Sequence, residues 1–367
     1  MKVVIFCHSL VSDWNHGNAH FLRGVAQELL DRDHEVRVFE PRDGWSRTNL
    51  ERDHGSAAID AFHRAYPRLH SECYDPSSID LDDALDGADF VLVHEWNDHD
   101  LVASVGAHHA RDDSYRLLFH DTHHRTVTDP ASMSAYDLQH YDGVLAFGDA
   151  VRDLYLSRGW TKRAWTWHEA ADTRVFYPRP GEAAGDIVWI GNWGDDERTA
   201  EIEEFLVEPV RRLGLRADVY GVRYPADARA KLAASGVTYR GWLPNGDVPD
   251  VFARYKVTVH IPRRPYLESL PGVPTIRLFE ALACGIPLVS ARWDQSADLF
   301  TPGMDFLVAK NGDEMTTHLA RLIGDDEGRR RLAERGLATI AARHTCAHRV
   351  DELIAVFDEI ALEVALP

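Results

Sequence analysis

The chain has 367 residues, 45% hydrophobic and 27% charged, which is apolar material for two domains of ordinary size and carries no signature of disorder. Its 59 acidic residues against 40 basic ones give a formal charge of −19, a field that repels nucleic acid and anionic membranes, and no basic patch in the sequence overrides it. Four scattered cysteines, Cys7, Cys73, Cys284 and Cys346, lack metal spacing and suit a reducing compartment. With no apolar run of transmembrane length, a cytoplasmic protein without a nucleic-acid partner is expected.

The first half reads as strands alternating with helices. Residues 2–6 form an apolar strand rather than the start of a signal peptide, because the polar stretch from Ser12 to His20 follows at once. From Ala19 to Leu30, Phe21, Leu22, Val25, Leu29 and Leu30 recur at helical spacing. A strand at 35–39 follows, then a polar loop at 41–54, then short apolar runs at 89–94, 116–120 and 143–147. Proline and glycine cluster at 176–185 and mark a break. Strands are expected again at 186–190, 216–220, 237–241, 256–261 and 287–290, with a helix at 197–213 and one long packed helix at 344–364. Such alternation implies parallel βαβ units. The expected α/β fold is two Rossmann-like doubly wound domains facing a cleft. Residues 1–170 and 186–345 form the domains, 171–185 the linker, and 346–367 a C-terminal helix packing back on the first domain.

Ligands of such sheets sit where the carboxyl ends of strands feed helix N-termini. After the first strand, His16, Gly17 and Asn18 offer close backbone approach and free helix amides, or a simple turn. After the strand at 116–120 comes HDTHHR, residues 120–125. His120, Asp121 and His123 there suit ligand contact or acid–base work; His123 and His124 are adjacent and cannot easily share one local metal site, so no metal is expected. IGNWGDDER, residues 190–198, places Gly191, Asn192 and Gly194 before a helix with Arg198 in its first turn. A cation there opposes the helix dipole and is understood more easily if it serves an anion than if it pairs with Asp195, Asp196 or Glu197.

The densest segment is TIRLFEALACGIPLVS, residues 275–290, preceded by a stiff proline-rich loop containing Gly272. Thr275 can cap the helix through its hydroxyl, Gly285 can end it left-handed, and Ile276 and Arg277 lie in its first turn. An amide-rich helix start attracts phosphate and the carboxylate of Glu280 can accept from a ribose diol; the bland alternative is an exposed polar face. Trp242 follows a strand and either packs or lies beside a nucleobase. Glu169 and Asp172 contact ligand or cap a turn.

Together these segments resemble the GT-B glycosyltransferases, in particular the family-4-like and CgeB-like groups, over nearly the whole chain. HGNAHFLRGVAQELLDRDHEVRVF resembles their opening glycine loop, helix and strand; TWHEAADTRVFYP resembles the interdomain signature, IGNW the phosphate loop and EALACGIPLVS the donor helix. The resemblance implies a metal-independent transferase without cofactor, leaning to retention of configuration. Its nucleotide-diphospho-sugar donor would be held by the second half, and its acceptor, a carbohydrate, lipid-linked or small molecule, chosen by the first. It assigns the ribose to Glu280, the diphosphate loop to Gly17 and a place near the donor sugar to His120. Asn192 occupies the family's usual arginine position, which leaves Arg198 as the phosphate-binding cation. Gly272 stands where many members carry a second glutamate, eight positions before Glu280. A nucleotide-sugar epimerase and a silent carbohydrate-assembly protein on the same scaffold are the alternatives.

Overall fold

A computed structural model describes residues 1–294 and 298–365. The chain folds as two compact units, one built from residues 1–169 and the segment from 346 onward, the other from 170–345. Each is a parallel sheet flanked by helices, the Rossmann-like α/β architecture of GT-B proteins.

The first unit contains strands β1 (Lys2–Phe6), β2 (Glu35–Pro41), β3 (Glu72–Tyr74), β4 (Phe90–His94), β5 (Arg116–Asp121), β6 (Gly143–Ala146) and β7 (Ala164–Thr166), in spatial order β3-β2-β1-β4-β5-β6-β7. All neighbours are parallel, with Val3 opposite Val36 on one side of β1 and Phe90 on the other. Covered on both faces, β1 and β4 read as continuous apolar runs rather than alternating ones. The C-terminal helix Cys346–Ala365 belongs to this unit. It packs on helix Ala19–Asp31, where Arg32 meets Asp351 at 2.6 Å, and the indole of buried Trp167 donates to the Arg349 carbonyl at 2.8 Å. Residues 366 and 367 of the expected helix lie outside the described residues.

The polar loop expected at 41–54 is instead largely the helix Trp45–His54, and a second helix, Ser56–Ala65, follows it. The first of these lacks an apolar stripe because hydrogen bonds tether it. Ser46 Oγ bonds the Ser12 hydroxyl at 2.8 Å and the Trp14 carbonyl at 2.7 Å. β3 and β7 escaped the sequence reading because three residues are too few to show a period.

The second unit contains β8 (Gly185–Ile190), β9 (Ala217–Tyr220), β10 (Val237–Tyr239), β11 (Tyr255–His260), β12 (Leu288–Ala291) and β13 (Leu307–Ala309), ordered β10-β9-β8-β11-β12-β13 and again parallel throughout. Its core gathers Ile187, Trp189, Leu206, Val219, Val257, Val259 and Val289 between helices. The helix expected at 197–213 is broken into a tight turn at Asp195–Glu197, a short α-helix at Thr199–Ile202, a π-turn at Glu203–Val207 and a last α-helical segment at Glu208–Leu213. Both sheets have the doubly wound order in which strand direction of travel reverses once, between β1 and β4 in the first and between β8 and β11 in the second. Such switch points leave a crevice at the carboxyl ends of the strands. No helix among the described residues is long and apolar enough to cross a membrane.

Candidate functional site

In the second unit the switch point gathers charge. Gly191 follows β8 beside the Trp189 ring, where a Cβ would come within 2.8 Å of the indole, so only glycine fits. Asn192 turns its side chain inward to accept from the Val222 amide at 2.8 Å, fixing the loop rather than offering a cation. Gly194 is left-handed, at φ +83°, and lets the chain turn into Arg198.

Arg198 then reaches across the switch point. Its guanidinium donates to the Ile261 carbonyl beyond β11 at 3.1 Å and to the Asn192 carbonyl, and it lies 5.1 Å from the Trp189 ring centroid. Two of the acids that might have neutralised it are paired elsewhere. Asp195 meets Arg223 at 3.0 Å and Glu197 meets Arg263 at 2.7 Å, while Arg198 makes no ion pair among the described residues. Burial, reinforced by the nearby charges of Arg263 and Arg277, disfavours its charged form and pushes it down to about 9. A guanidinium without a carboxylate partner has the chemistry to take an anion.

Across from it, helix Ile276–Ala283 begins at Thr275. Thr275 has the extended backbone of an N-cap, but its hydroxyl makes no capping bond, contrary to the sequence expectation. It is engaged by a chain of hydrogen bonds instead. Ser290 donates to the Ala291 carbonyl at 2.7 Å, so His260 Nδ1 donates to Ser290 at 2.8 Å. His260 Nε2 is left as the acceptor of the Thr275 hydroxyl at 3.0 Å. Burial holds His260 neutral, its pKa down to about 3. The start of the helix therefore offers the amides of Ile276 and Arg277, not the Thr275 hydroxyl, to an incoming oxyanion.

Glu280 is fully buried, which removes the exposed-face alternative. Its carboxylate pairs with Arg277 and accepts from Asn245 Nδ2 at 3.4 Å. The helix ends as its sequence suggests: Gly285 is left-handed at φ +66° and its amide bonds the Leu282 carbonyl at 3.1 Å. Gly272 is also left-handed, at φ +76°, in the loop before the helix. The turn itself thus excludes a glutamate, since a Cβ there is strained. Trp242 is half-buried in the loop after β10, and Asp172 organises its own turn by accepting from the Arg174 amide at 3.2 Å. Asn245 and His260 were missed from sequence; the signal for His260 was its position as the last residue of an apolar strand.

The first unit's switch point is built from rings. His120, next to last in β5, is fully buried, packed 4.6 Å from the His94 ring and 4.7 Å from the Trp167 ring, with neither ring nitrogen hydrogen-bonded. Burial lowers both histidines, His94 to about 3. Asp121 is equally buried. It accepts from the Tyr155 hydroxyl at 2.9 Å and the His123 amide at 3.0 Å. Desolvation pushes Asp121 up to about 6, and burial together with the nearby Asp121 charge raises Glu95 well above the usual range. Of the three residues expected to be catalytic, only His123 is partly exposed, its ring 5.2 Å from Trp96. Gly17 is exposed in a turn before helix Ala19–Asp31, and the left-handed residue of that loop is Asn15 at φ +50°. Among the described residues no three His, Cys, Asp or Glu side chains converge as metal ligands.

Residues 198–355 match the family described as "Glycosyl transferase-like". No curated protein sequence matches the chain. Solved structures resemble it along nearly its whole length. The sucrose-phosphate synthase of Thermosynechococcus elongatus is 15% identical, with 99% of this chain and 100% of that one covered and a TM-score of 0.66. Anabaena Alr3699/HepE in complex with UDP and glucose is 15% identical, with 98% and 99% covered and a TM-score of 0.68. An alpha-glucosyltransferase in complex with UDP and a 13-mer DNA is 12% identical, with 98% and 99% covered and a TM-score of 0.70. Identities this low speak for the fold: the chain has the GT-B fold of these glycosyltransferases, and its second unit is similar to the glycosyl transferase-like family.

Proposed function

We propose that the second unit binds a nucleotide-diphospho-sugar and that the enzyme transfers the sugar, without a metal, to an acceptor held by the first. The observation that carries this reading is the charge count at the β8/β11 switch point. Three guanidiniums, Arg198, Arg263 and Arg277, face two carboxylates, Glu197 and Glu280, and the surplus charge sits on Arg198 next to free helix amides. A diphosphate leaving group supplies the missing negative charge, and it is most negative as the glycosidic bond breaks, so the surplus works hardest in the transition state. Arg277 and Asn245 hold the Glu280 carboxylate in one orientation, ready to accept from ribose hydroxyls. HepE in complex with UDP and the alpha-glucosyltransferase in complex with UDP support a donor of this class.

The reading extends to retention of configuration. An inverting transferase needs a side-chain base at the acceptor hydroxyl. His120 and Asp121 are sealed in the core, and Asp121 is committed to the Tyr155 hydroxyl and the His123 amide. A donor phosphate oxygen taking the acceptor proton removes that need. The test is calorimetric titration with UDP, followed by release of nucleoside diphosphate from a panel of nucleotide sugars with and without acceptors. Tight UDP binding and acceptor-dependent release are expected. Isomerised donor without transfer would establish the epimerase instead, and no nucleotide binding would remove both.

A further inference from the structure

The β1/β4 switch point of the first unit carries a group of aromatic side chains that neither the donor chemistry nor the core accounts for. Trp45 and Trp96 are 48% and 41% exposed, unusual for indoles in a well-packed domain. Both face one imidazole: the His8 ring lies 6.3 Å from Trp45 and 6.3 Å from Trp96. His16 packs edge-on against His8 at 5.2 Å, Trp14 supports Trp45 at 5.1 Å, and His123 meets Trp96 at 5.2 Å. Nε2 of His16 and Nε2 of His94, the latter in a ring only 8% exposed, have no hydrogen-bond partner. Indole faces beside unsatisfied imidazole nitrogens are what a sugar ring needs, with its C–H face stacked and its hydroxyls bonded at the edge.

The charge around this bowl selects among sugars. His8 and His16 are neutral because burial lowers them, His8 to about 4. The cations beneath are already engaged, Arg23 with Asp13 at 3.0 Å and Arg47 with buried Glu40 at 2.7 Å. Arg125 lies 4.6 Å from the Trp96 ring centroid and donates to the Glu95 carbonyl and to Ser132. No surplus positive charge comparable to Arg198 is present, and the whole chain carries −19. A phosphorylated or polyanionic acceptor would find no counter-charge here.

We propose that Trp45, Trp96, His8 and His16 form the acceptor site and that it takes an uncharged pyranoside. This rests on the transferase reading for the word acceptor; the sugar-binding site itself does not depend on it. The chain with its native sequence and the variants W45A, W96A and W96F are titrated with maltose, cellobiose and lactose. Glucose 6-phosphate, 4-nitrophenol and a single-stranded 12-mer DNA are titrated in parallel. Binding is read by indole fluorescence and saturation-transfer NMR, and unfolding midpoints verify the variants' fold. At least one disaccharide should bind at millimolar concentration. W45A and W96A should each weaken it by about fivefold or more, while W96F keeps most of the affinity. UDP affinity, measured on the same samples, should stay within about twofold in all three variants.

Absence of disaccharide binding overturns the proposal. So does undiminished binding in both alanine variants, or a tighter complex with glucose 6-phosphate, 4-nitrophenol or DNA. If the native chain fails to bind UDP the donor reading falls, and the sugar titrations still decide this one.

Discussion

At the switch point of the first sheet the chemistry is carried by neutral rings, with His8, His16, His94 and His120 crowded among Trp45, Trp96 and Trp167. At the corresponding point of the second sheet it is carried by fixed charges, with Arg198, Arg263 and Arg277 set against Glu197 and Glu280. The strand order around the two points is the same. Topology therefore decides where a ligand can sit, and the side chains delivered there decide which ligand. Guanidiniums suit a diphosphate whose charge never changes sign; imidazoles kept neutral suit hydroxyls.

The comparison makes its largest prediction for acid. Six histidines of the first unit, His8, His16, His34, His94, His120 and His168, are lowered by burial from an ordinary value of 6.5. Below about 6.5 the unfolded chain takes up protons that the folded rings refuse, so stability falls steadily as pH drops toward 4. Asp121 and Glu95 act in the opposite sense. Their folded pKa values are raised, Asp121 to about 6, so they return some stability over the same window. The rings outnumber the two carboxyls, and a net loss of stability is expected between pH 7 and pH 4.5. In the second unit His260 is lowered in this way. Hydrogen exchange read peptide by peptide, after correction for intrinsic rates, should show β1, β4 and β5 opening before β8, β11 and β12. Equal loss in both sheets would erase the contrast.

The next effect belongs to the charged point. Arg198→Ala should weaken UDP binding by about 2–3 kcal/mol, and Arg198→Lys should recover little, because an ammonium cannot bond two carbonyls and keep a face on Trp189. Calorimetry decides it, and an unchanged UDP affinity in the alanine variant would remove Arg198 from the donor site. Glu280→Gln should cost less, about 1–1.5 kcal/mol. Its sharper readout is discrimination between UDP and its 2′-deoxy analogue. A ribose contact predicts that the native preference for UDP shrinks in the variant, whereas a purely structural carboxylate leaves that preference intact.

Much of this contrast was legible in the sequence. Runs such as KVVIF and FVLVH announce buried parallel strands, and Gly285 followed by Pro287 announces the end of a helix. Arg198 stood out because a cation at a helix start is misplaced unless something uses it. What was hidden depended on partners far along the chain. Thr275 reads as a cap, but His260 and Ser290 take its hydroxyl, and no local pattern encodes that. Helix Trp45–His54 reads as a loop because serine bonds to the β1 loop hold it. Glu280 reads as part of a polar stripe, yet it is buried because Arg277 and Asn245 satisfy it. HEWN, residues 94–97, passed as an ordinary strand end because nothing in four residues shows that His94 packs on His120 and that Glu95 is buried near Asp121.

The smallest expected effect is the one that bears on mechanism. His123 is the partly exposed member of the HDTHHR segment's three candidate catalytic residues, next to Trp96 and bound through its amide to Asp121. If a donor phosphate oxygen accepts the acceptor proton, His123 shapes the acceptor bowl without taking part in bond breaking. His123→Ala should then raise the acceptor KM by a few-fold and leave kcat within about threefold. The pH profile of kcat should keep its acidic limb, because the titrating group is not the ring that was removed. If His123 is a general base, kcat should fall by about 10²-fold or more and the acidic limb should vanish. The product's anomeric configuration, read by NMR on the native enzyme, must agree with whichever result is obtained. A neutral-ring site that supplies no base leaves proton transfer to the charged site, and that division of labour is what the contrast between the two switch points would mean chemically.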